Sequence, residues 1–534
     1  MKKRFILLAL SLLAAGGCAR EPLAPDALQA LPEEALSHEM IVLGDKLEDP
    51  YSVRNMTKAL ASLYPTKAPR IDVSATDIYV RFLPETEAQY NMLERAGLAL
   101  MDHPVDYQIV RDGDYYHDPE IPEDRITWQY AVVPRDFWIP PGIKHEILDE
   151  CFIPDENMAT RSPDGFDWAA VERESFRLTG NAELLQPLTR ATEAGKPSGR
   201  ITIVDDAANG GKPFGVAGVK VVCNTFVKFA SAYTDRDGYY EIGTTFSADV
   251  RYRLMFKNQA KFSIGLNKIL VPASSSTLGK GTPQGKDETV TPASDRRLFC
   301  RCVVNNAIYD YISRCKEDDL GILAPPADLR VWIFQKIRPS SAAMLHHGAF
   351  VENDLLTSMV GEYIPLVKVF LPDVTIGASG KDTYARLYSE TVHEMAHASH
   401  FAQVGKEYWD KFIEYILTAF ASSGGDVYGS GSGNGAGHCE VGEMWAYFLQ
   451  NKIYHDRYGG AMPENGNAYW FQPQILRYLN ERGMSVSQIF SALGEDVTDK
   501  ASLRRSLLAL YPEFQAVIDQ VFARYTGGGD DEQA

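Results

Sequence analysis

The sequence predicts a multi-domain α+β protein in three folded parts: an N-terminal α+β domain, a small antiparallel β-sandwich and an α-rich C-terminal domain. Its 534 residues exceed one ordinary domain, and length alone suggests about three or four. The apolar pattern then changes twice, to alternation near residue 199 and to a mainly helical repeat after residue 298. Hydrophobic residues make up 45% of the chain and charged residues 23%, enough apolar material for real cores. A formal charge of −18, with no Lys/Arg-rich run, argues against nucleic acid as a partner.

The first residues bear on compartment. Lys2, Lys3 and Arg4 precede a short apolar run from Phe5 to Ala15, followed by Ala15-Gly16-Gly17-Cys18. Small residues before a cysteine resemble the lipobox of bacterial lipoproteins, although Ala15 stands where leucine is usual. The resemblance implies a signal peptide over 1–17, lipidation at Cys18 and a membrane-anchored chain in the bacterial cell envelope, at the outer membrane. An ordinary secretory signal cut near Ala15 is the alternative, since the run is too short to span a bilayer. Of the remaining cysteines, Cys300, Cys302 and Cys315 lack a fourth partner for a zinc knuckle. Buried free thiols or one disulfide are expected.

Residues 18–48, rich in Pro, Ala and acid, read as a tether, and 49–165 as an α+β domain of unknown role. A helix at Trp168 to Leu178 lies in a helical connector, 166–198. Residues 199–272 carry alternating runs: Arg200–Val204, Gly218–Val222, Tyr239–Ile242 and Val250–Phe256. Gly215-Val-Ala-Gly-Val-Lys-Val221 and Thr234-Asp-Arg-Asp-Gly-Tyr-Tyr-Glu-Ile242 resemble the carboxypeptidase regulatory-like (transthyretin-like) domain. Asp235 and Asp237 are too few for a calcium loop and read as turn chemistry around Gly238. Residues 273–296 read as a linker, 297–526 as the α-rich domain with strand-like pieces at Leu329–Gln335 and Leu366–Leu371, and 527–534 as a disordered tail.

The chemistry concentrates in Tyr384–Val404, which contains no Gly or Pro. His393-Glu394-Met395-Ala396-His397 puts two imidazoles one helical turn apart, able to reach one ion. Glu394 is rotated about 100° from His393 and leans toward the open coordination position. The accidental occurrence of this pattern in a chain so long is about 1%. Zinc is the expected ion, and a catalytic zinc takes a third protein ligand with water in the fourth place.

Residue 403 is Gln, which rules out a third histidine six positions after His397. His400 lies on the same helix, a poor third ligand, and is expected to line the pocket or contact a ligand from behind. The segment from His438 to Leu449 reads as a helix with Glu440, Glu443 and Tyr447 on one face. Glu443-Met-Trp-Ala-Tyr-Phe448 resembles the glutamate helix of gluzincin metallopeptidases. The resemblance implies Glu443 as third ligand, with Glu440 the alternative, in a zincin-like domain. His438, Tyr447, Tyr428 and Tyr454 are candidates for an oxyanion donor, and His346-His347 reads as an exposed turn. The glycine-rich loop Ser422–Gly437 could be a mobile lid.

These parts imply a zinc-dependent metallopeptidase with Glu394 as general base and a protein or peptide as substrate. The lipobox, the transthyretin-like stretch and the metal motif together look like surface lipoproteins of Bacteroidetes-type bacteria. Two rivals remain: a surface protein that binds glycan or protein and keeps a vestigial zinc site, and a zinc hydrolase of non-peptide amides or esters.

Overall fold

The computed structural model describes residues 40–526 except 69–70, 72, 123–124, 155–166, 186–193, 266–272, 336–337, 339, 350–370, 424–425, 427 and 464. The expected signal peptide, Cys18 and the expected C-terminal tail therefore lie outside the described residues. The chain is mixed α+β, with several antiparallel sheets and a helix-rich C-terminal region.

The N-terminal part contains β1 (Val42–Lys46), α1 (Val53–Leu63), β2 (Asp77–Leu83), α2 (Glu87–Arg95), β3 (Tyr107–Arg111), β4 (Gln129–Pro134), β5 (Lys144–Cys151) and α3 (Trp168–Leu178). Strands β4-β2-β5 form one antiparallel sheet, and Ile78, Val80 and Phe82 of its central strand join one core cluster. Ser52 and Thr86 begin α1 and α2 by accepting hydrogen bonds from Asn55 N and Gln89 N. Strand β1 corrects the tether expectation at its end: Val42 and Leu43 pair with Arg111 and Ile109 of β3.

The middle part contains β6 (Ser198–Ile203), β7 (Phe214–Gly215), β8 (Lys220–Thr225), β9 (Lys228–Tyr233), β10 (Tyr239–Glu241), β11 (Val250–Met255), β12 (Phe262–Gly265), β13 (Ser275–Gly281) and β14 (Glu288–Val290). Two sheets form, β10-β6-β14 with β7 on β6, and β13-β11-β8-β9. Ile201, Tyr240 and Val290 from one, and Val221, Tyr252 and Leu254 from the other, share a core. Two expectations need correction here. The stretch read as a linker, 273–296, supplies β13, paired with β11, and β14, paired with β6. Its serines are loop-like by composition yet have partners: Ser275 Oγ donates to Asp114 O and Ser276 Oγ accepts from Arg301. The β14–β6 pair is parallel, so the two sheets are not antiparallel throughout. Asp235 does the turn work expected of it, accepting from the backbone N–H groups of Asp237 and Tyr239.

The C-terminal part contains α4 (Arg296–Arg314), β15 (Leu329–Phe334), β16 (Val374–Gly377), α5 (Tyr384–Ser423), α6 (Ala436–Tyr458), α7 (Gln474–Glu481), α8 (Val486–Ser491), α9 (Lys500–Leu510) and α10 (Gln515–Thr526). Strands β12-β15-β16 make a parallel sheet, so β12, inside the expected sandwich, belongs by pairing with the C-terminal part. The strand expected at Leu366–Leu371 falls outside the described residues except for Leu371, which is not in a strand.

One core runs from Ile201 to Phe522, so the middle and C-terminal parts are not separated by solvent. Buried amides sew them together. Asn306 accepts from Ala217 N and donates to Gly215 O, while Asn305 donates to Ala217 O and accepts from Asn258. Arg457, on α6, reaches Asp205 at 3.0 Å and lies over the rings of Phe214, Tyr384, Tyr388 and Tyr458. The N-terminal part is tied in by α3, where Glu172 pairs with Lys228 Nζ at 3.2 Å and accepts from Tyr51. Both partners of that ion pair are 5% exposed, and removing one alone leaves a buried charge at a cost of about 3–5 kcal/mol.

The six cysteines of the described residues are free and buried. Among the described residues, no helix is long and apolar enough to cross a membrane.

One buried group gives the fold a pH signature. His103 is 2% exposed, and its Nδ1 lies 2.9 Å from Pro104 O. Burial, helped by Arg253, pushes its pKa down to about 3, so the folded protein holds it neutral. The unfolded chain takes up that proton first as pH falls below its ordinary value near 6.5. His103→Gln should therefore flatten the loss of stability between pH 6.5 and 3, read from urea midpoints across that range. Equal slopes in both proteins would contradict this account.

Candidate metal centre

The site is built where α5 meets α6. Up to Val404 α5 is regular, and Gly405 then breaks it with φ 78° and ψ −177°. In a straight helix Trp409 and Phe412 would sit about 18 and 22 Å beyond His397. The break instead folds them back, and their rings lie 5.7 and 5.5 Å from the His397 ring. Helix α6 approaches closely because Gly442 faces Phe412, where a Cβ would meet that ring at 3.0 Å. Trp445 fixes the register by donating from Nε1 to Ala396 O.

His393, His397 and Glu443 converge, with one ligand atom from each lying within 4.8 Å of the others. His393 Nε2 is 3.5 Å from Glu443 Oε2, and His397 Nε2 is 3.4 Å from Oε1. The two Nε2 atoms face each other at 3.1 Å, so at most one carries a proton toward the other. Exposures are 2%, 1% and 0%. Burial alone would raise Glu443, yet the imidazoles outweigh it and its pKa falls to about 2. Burial alone would lower His393, and Glu443 overrides it to bring that ring to about 9. For His397 burial prevails over the same carboxylate, and its pKa is lowered. Two neutral-capable nitrogens and one ionised carboxylate, gathered out of water, fit a divalent metal ion.

Gln450 prepares the first of these donors. Its Nε2 donates to Ser389 O at 3.1 Å, which fixes the amide's orientation because a carbonyl only accepts. Its Oε1 then faces His393 Nδ1 at 3.0 Å and accepts that proton, so Nε2 is the nitrogen that would bind a metal once the ring is neutral. Sequence reasoning missed Gln450, although it stands two turns after Glu443 on the same face of α6.

Glu394 is fully buried, and neither of its carboxylate oxygens has a hydrogen-bond partner. Desolvation, opposed by His393, raises it to about 8. Such an unsatisfied acid is costly, and it is next in sequence to His393 of the three side chains that could hold a metal.

The other expected residues are dispersed. Glu440 faces away, with Lys500 Nζ 2.9 Å from Oε1 and Lys500 N donating to Oε2, so Glu443 and not Glu440 completes the cluster. His400 is buried among aromatics, its ring 5.2 Å from Tyr408 and 5.9 Å from Trp409, and it bonds no ligand. The His438 ring lies 4.5 Å from that of Tyr408 at a tilt of 57°, and His438 is not part of the three-residue cluster. Tyr447 does enter it, with its ring 4.6 Å from His393 and its hydroxyl 3.3 Å from that of Tyr428. Tyr454 packs on Tyr458. His346 and His347 are no exposed turn: both are partly buried, and His347 Nδ1 lies 2.9 Å from Asp373. In the glycine-rich loop, Tyr428 is buried and its carbonyl accepts from Tyr415 and Trp470, so this part is docked.

Glu443→Gln should cost the protein its metal after dialysis, whereas Glu440→Gln should retain it, both read by elemental analysis. Gln450→Leu should weaken metal affinity by about 10- to 100-fold, measured by competition with a chromophoric chelator. No protein-family model matches this chain, and no curated protein or solved structure matches it either, so the case for a metal rests on its own converging side chains.

Proposed function

We propose that the protein is a zinc-dependent metallopeptidase of the bacterial envelope, with His393, His397 and Glu443 as ligands and Glu394 as general base. The observation that carries this reading is the buried, unpartnered carboxylate of Glu394 one residue from a ligand. A site kept only to bind metal needs the two histidines and the acid of α6, but has no use for a second acid held at such cost. Bound zinc would supply an acidified water and polarise a carbonyl oxygen. Glu394, one residue from His393, would take a proton from the attacking water and return it to a leaving amine. Tyr447 and Tyr428, whose hydroxyls meet beside His393, are the nearest candidates for an oxyanion donor.

The His393–His397 helix and the Glu443 helix form a gluzincin-like pair within a zincin-like region. In this reading the middle part is the transthyretin-like domain, supported by the residue pattern of 215–242. Lipidation at Cys18 would hold the chain on the outer membrane.

The test pairs metal analysis with a peptide library. Wild type and Glu394→Gln should each carry about one zinc per chain, because Glu394 is not a ligand. Cleavage should fall by about two orders of magnitude or more in the variant. Absence of zinc from the purified protein, or equal cleavage by both, defeats the peptidase reading. Ester or non-peptide amide hydrolysis with no peptide cleavage would favour the second hydrolase class.

A further inference from the structure

A hydrolytic centre needs a path for substrate, yet His393, Glu394, His397 and Glu443 are each at most 2% exposed. The direction in which that path lies follows from α5. At 3.6 residues per turn, Glu390, Glu394 and Phe401 lie within about 40° of one another, so they define the face on which the general base points. A short segment is pinned to the residues that flank this face, at both ends and in the middle.

At its start, Lys381 Nζ bonds Arg338 O, Gly377 O and Glu390 Oε1 at 2.6, 2.8 and 2.7 Å, joining the segment to α5 one turn before Glu394. Ser340 Oγ accepts from Gly377 N. In the middle, Ser341 and Thr375 exchange both backbone hydrogen bonds, at 2.9 and 2.8 Å, which caps the edge of β16. Ala342 O accepts from Trp409 Nε1, the same indole that flanks His397. At its end, Met344 N donates to Asp373 O, and the ring and backbone of His347 bond Asp373 Oδ1. The His347 ring also lies 6.4 Å from Phe401, two turns beyond Glu394. Ala342, Ala343, Met344 and Leu345 are all buried in the same core as Val392 and Met395.

We infer that residues 340–349 form an autoinhibitory strap: they close the metal centre over the Glu394 face of α5, and the site works only when they move aside. The closure combines backbone hydrogen bonds at a sheet edge with buried side chains from Ala342 to Leu345. It belongs to neither α5 nor α6, so its displacement does not require those helices to unwind. Met344 holds a left-handed backbone, φ 53°, which an unbranched residue adopts only under constraint from its surroundings. The inference rests on the proposed hydrolase reading, because a strap inhibits only if there is a reaction beneath it.

The directly opposed pair at Ser341 and Thr375 offers a lock. Hydrogen-bonded antiparallel partners have Cα atoms about 5.5 Å apart, within reach of a disulfide. The full chain carrying Ser341→Cys and Thr375→Cys is loaded with zinc, and metal removal by excess dipicolinate is followed in the oxidised and reduced forms. The oxidised form should release zinc about tenfold more slowly or worse, and reduction should restore the rate. Lys381→Met, which loosens the start of the strap, should release it faster than wild type. Equal rates for the oxidised and reduced forms overturn the strap.

A chain that takes up no zinc in any form removes the metal reading instead. The strap is then judged by amide hydrogen exchange. Exchange at Ser341 and Met344 ahead of the His393–His397 turn supports local opening, and exchange together with that turn overturns it.

Discussion

The carboxylate of Glu443 lies between two imidazoles in a place that water does not reach, and the arrangement of α5 and α6 follows from keeping it there. A lone buried carboxylate is costly, several kcal/mol even after relaxation. Here the imidazoles compensate, because His393 takes up the positive charge that Glu443 requires. The three side chains form an ion pair whose geometry could hold a cation. A metal ion bound there would displace a proton without rebuilding the helices.

Holding that pair in register draws on elements far from it. Gln450 orients one ring and is itself held by Ser389. The break at Gly405 returns two aromatic rings to wall the other. Further out, Arg457 anchors the end of α6 against Asp205, on the loop after β6, with four aromatic rings around its guanidinium. The β-rich middle part is therefore packing for α5 and α6 as well as a unit in its own right.

How much of this could be read beforehand depended on whether the signal was local. The His393–His397 spacing was legible because one helix carries it, and the break after Val404 was marked by the glycine that follows. Glu443 and Glu440 share a face, so spacing could not choose between them. Lys500, 60 residues away, makes the choice by occupying Glu440. Gln450 obeys the same face rule as Glu443 but lacks the charge that draws attention to an acid. Strands β13 and β14 were missed because Ser, Thr and Gly resemble a loop until a partner strand supplies the backbone hydrogen bonds. The parallel pairing of β12 with β15 joins segments more than 60 residues apart and leaves no local trace.

That last pairing bears on how the chain could be divided. Trimming at the apparent junction near residue 297 would remove β12 and leave β15, all six of whose residues are buried and five of them apolar, with an open edge. An exposed edge of that kind pairs readily with other chains. The smallest piece that holds α5 and α6 with this sheet covered therefore begins upstream of Phe262, and with the Asn258 and Ala217 bonds to α4 it begins before β8. The apparent linker is not a place where this protein comes apart.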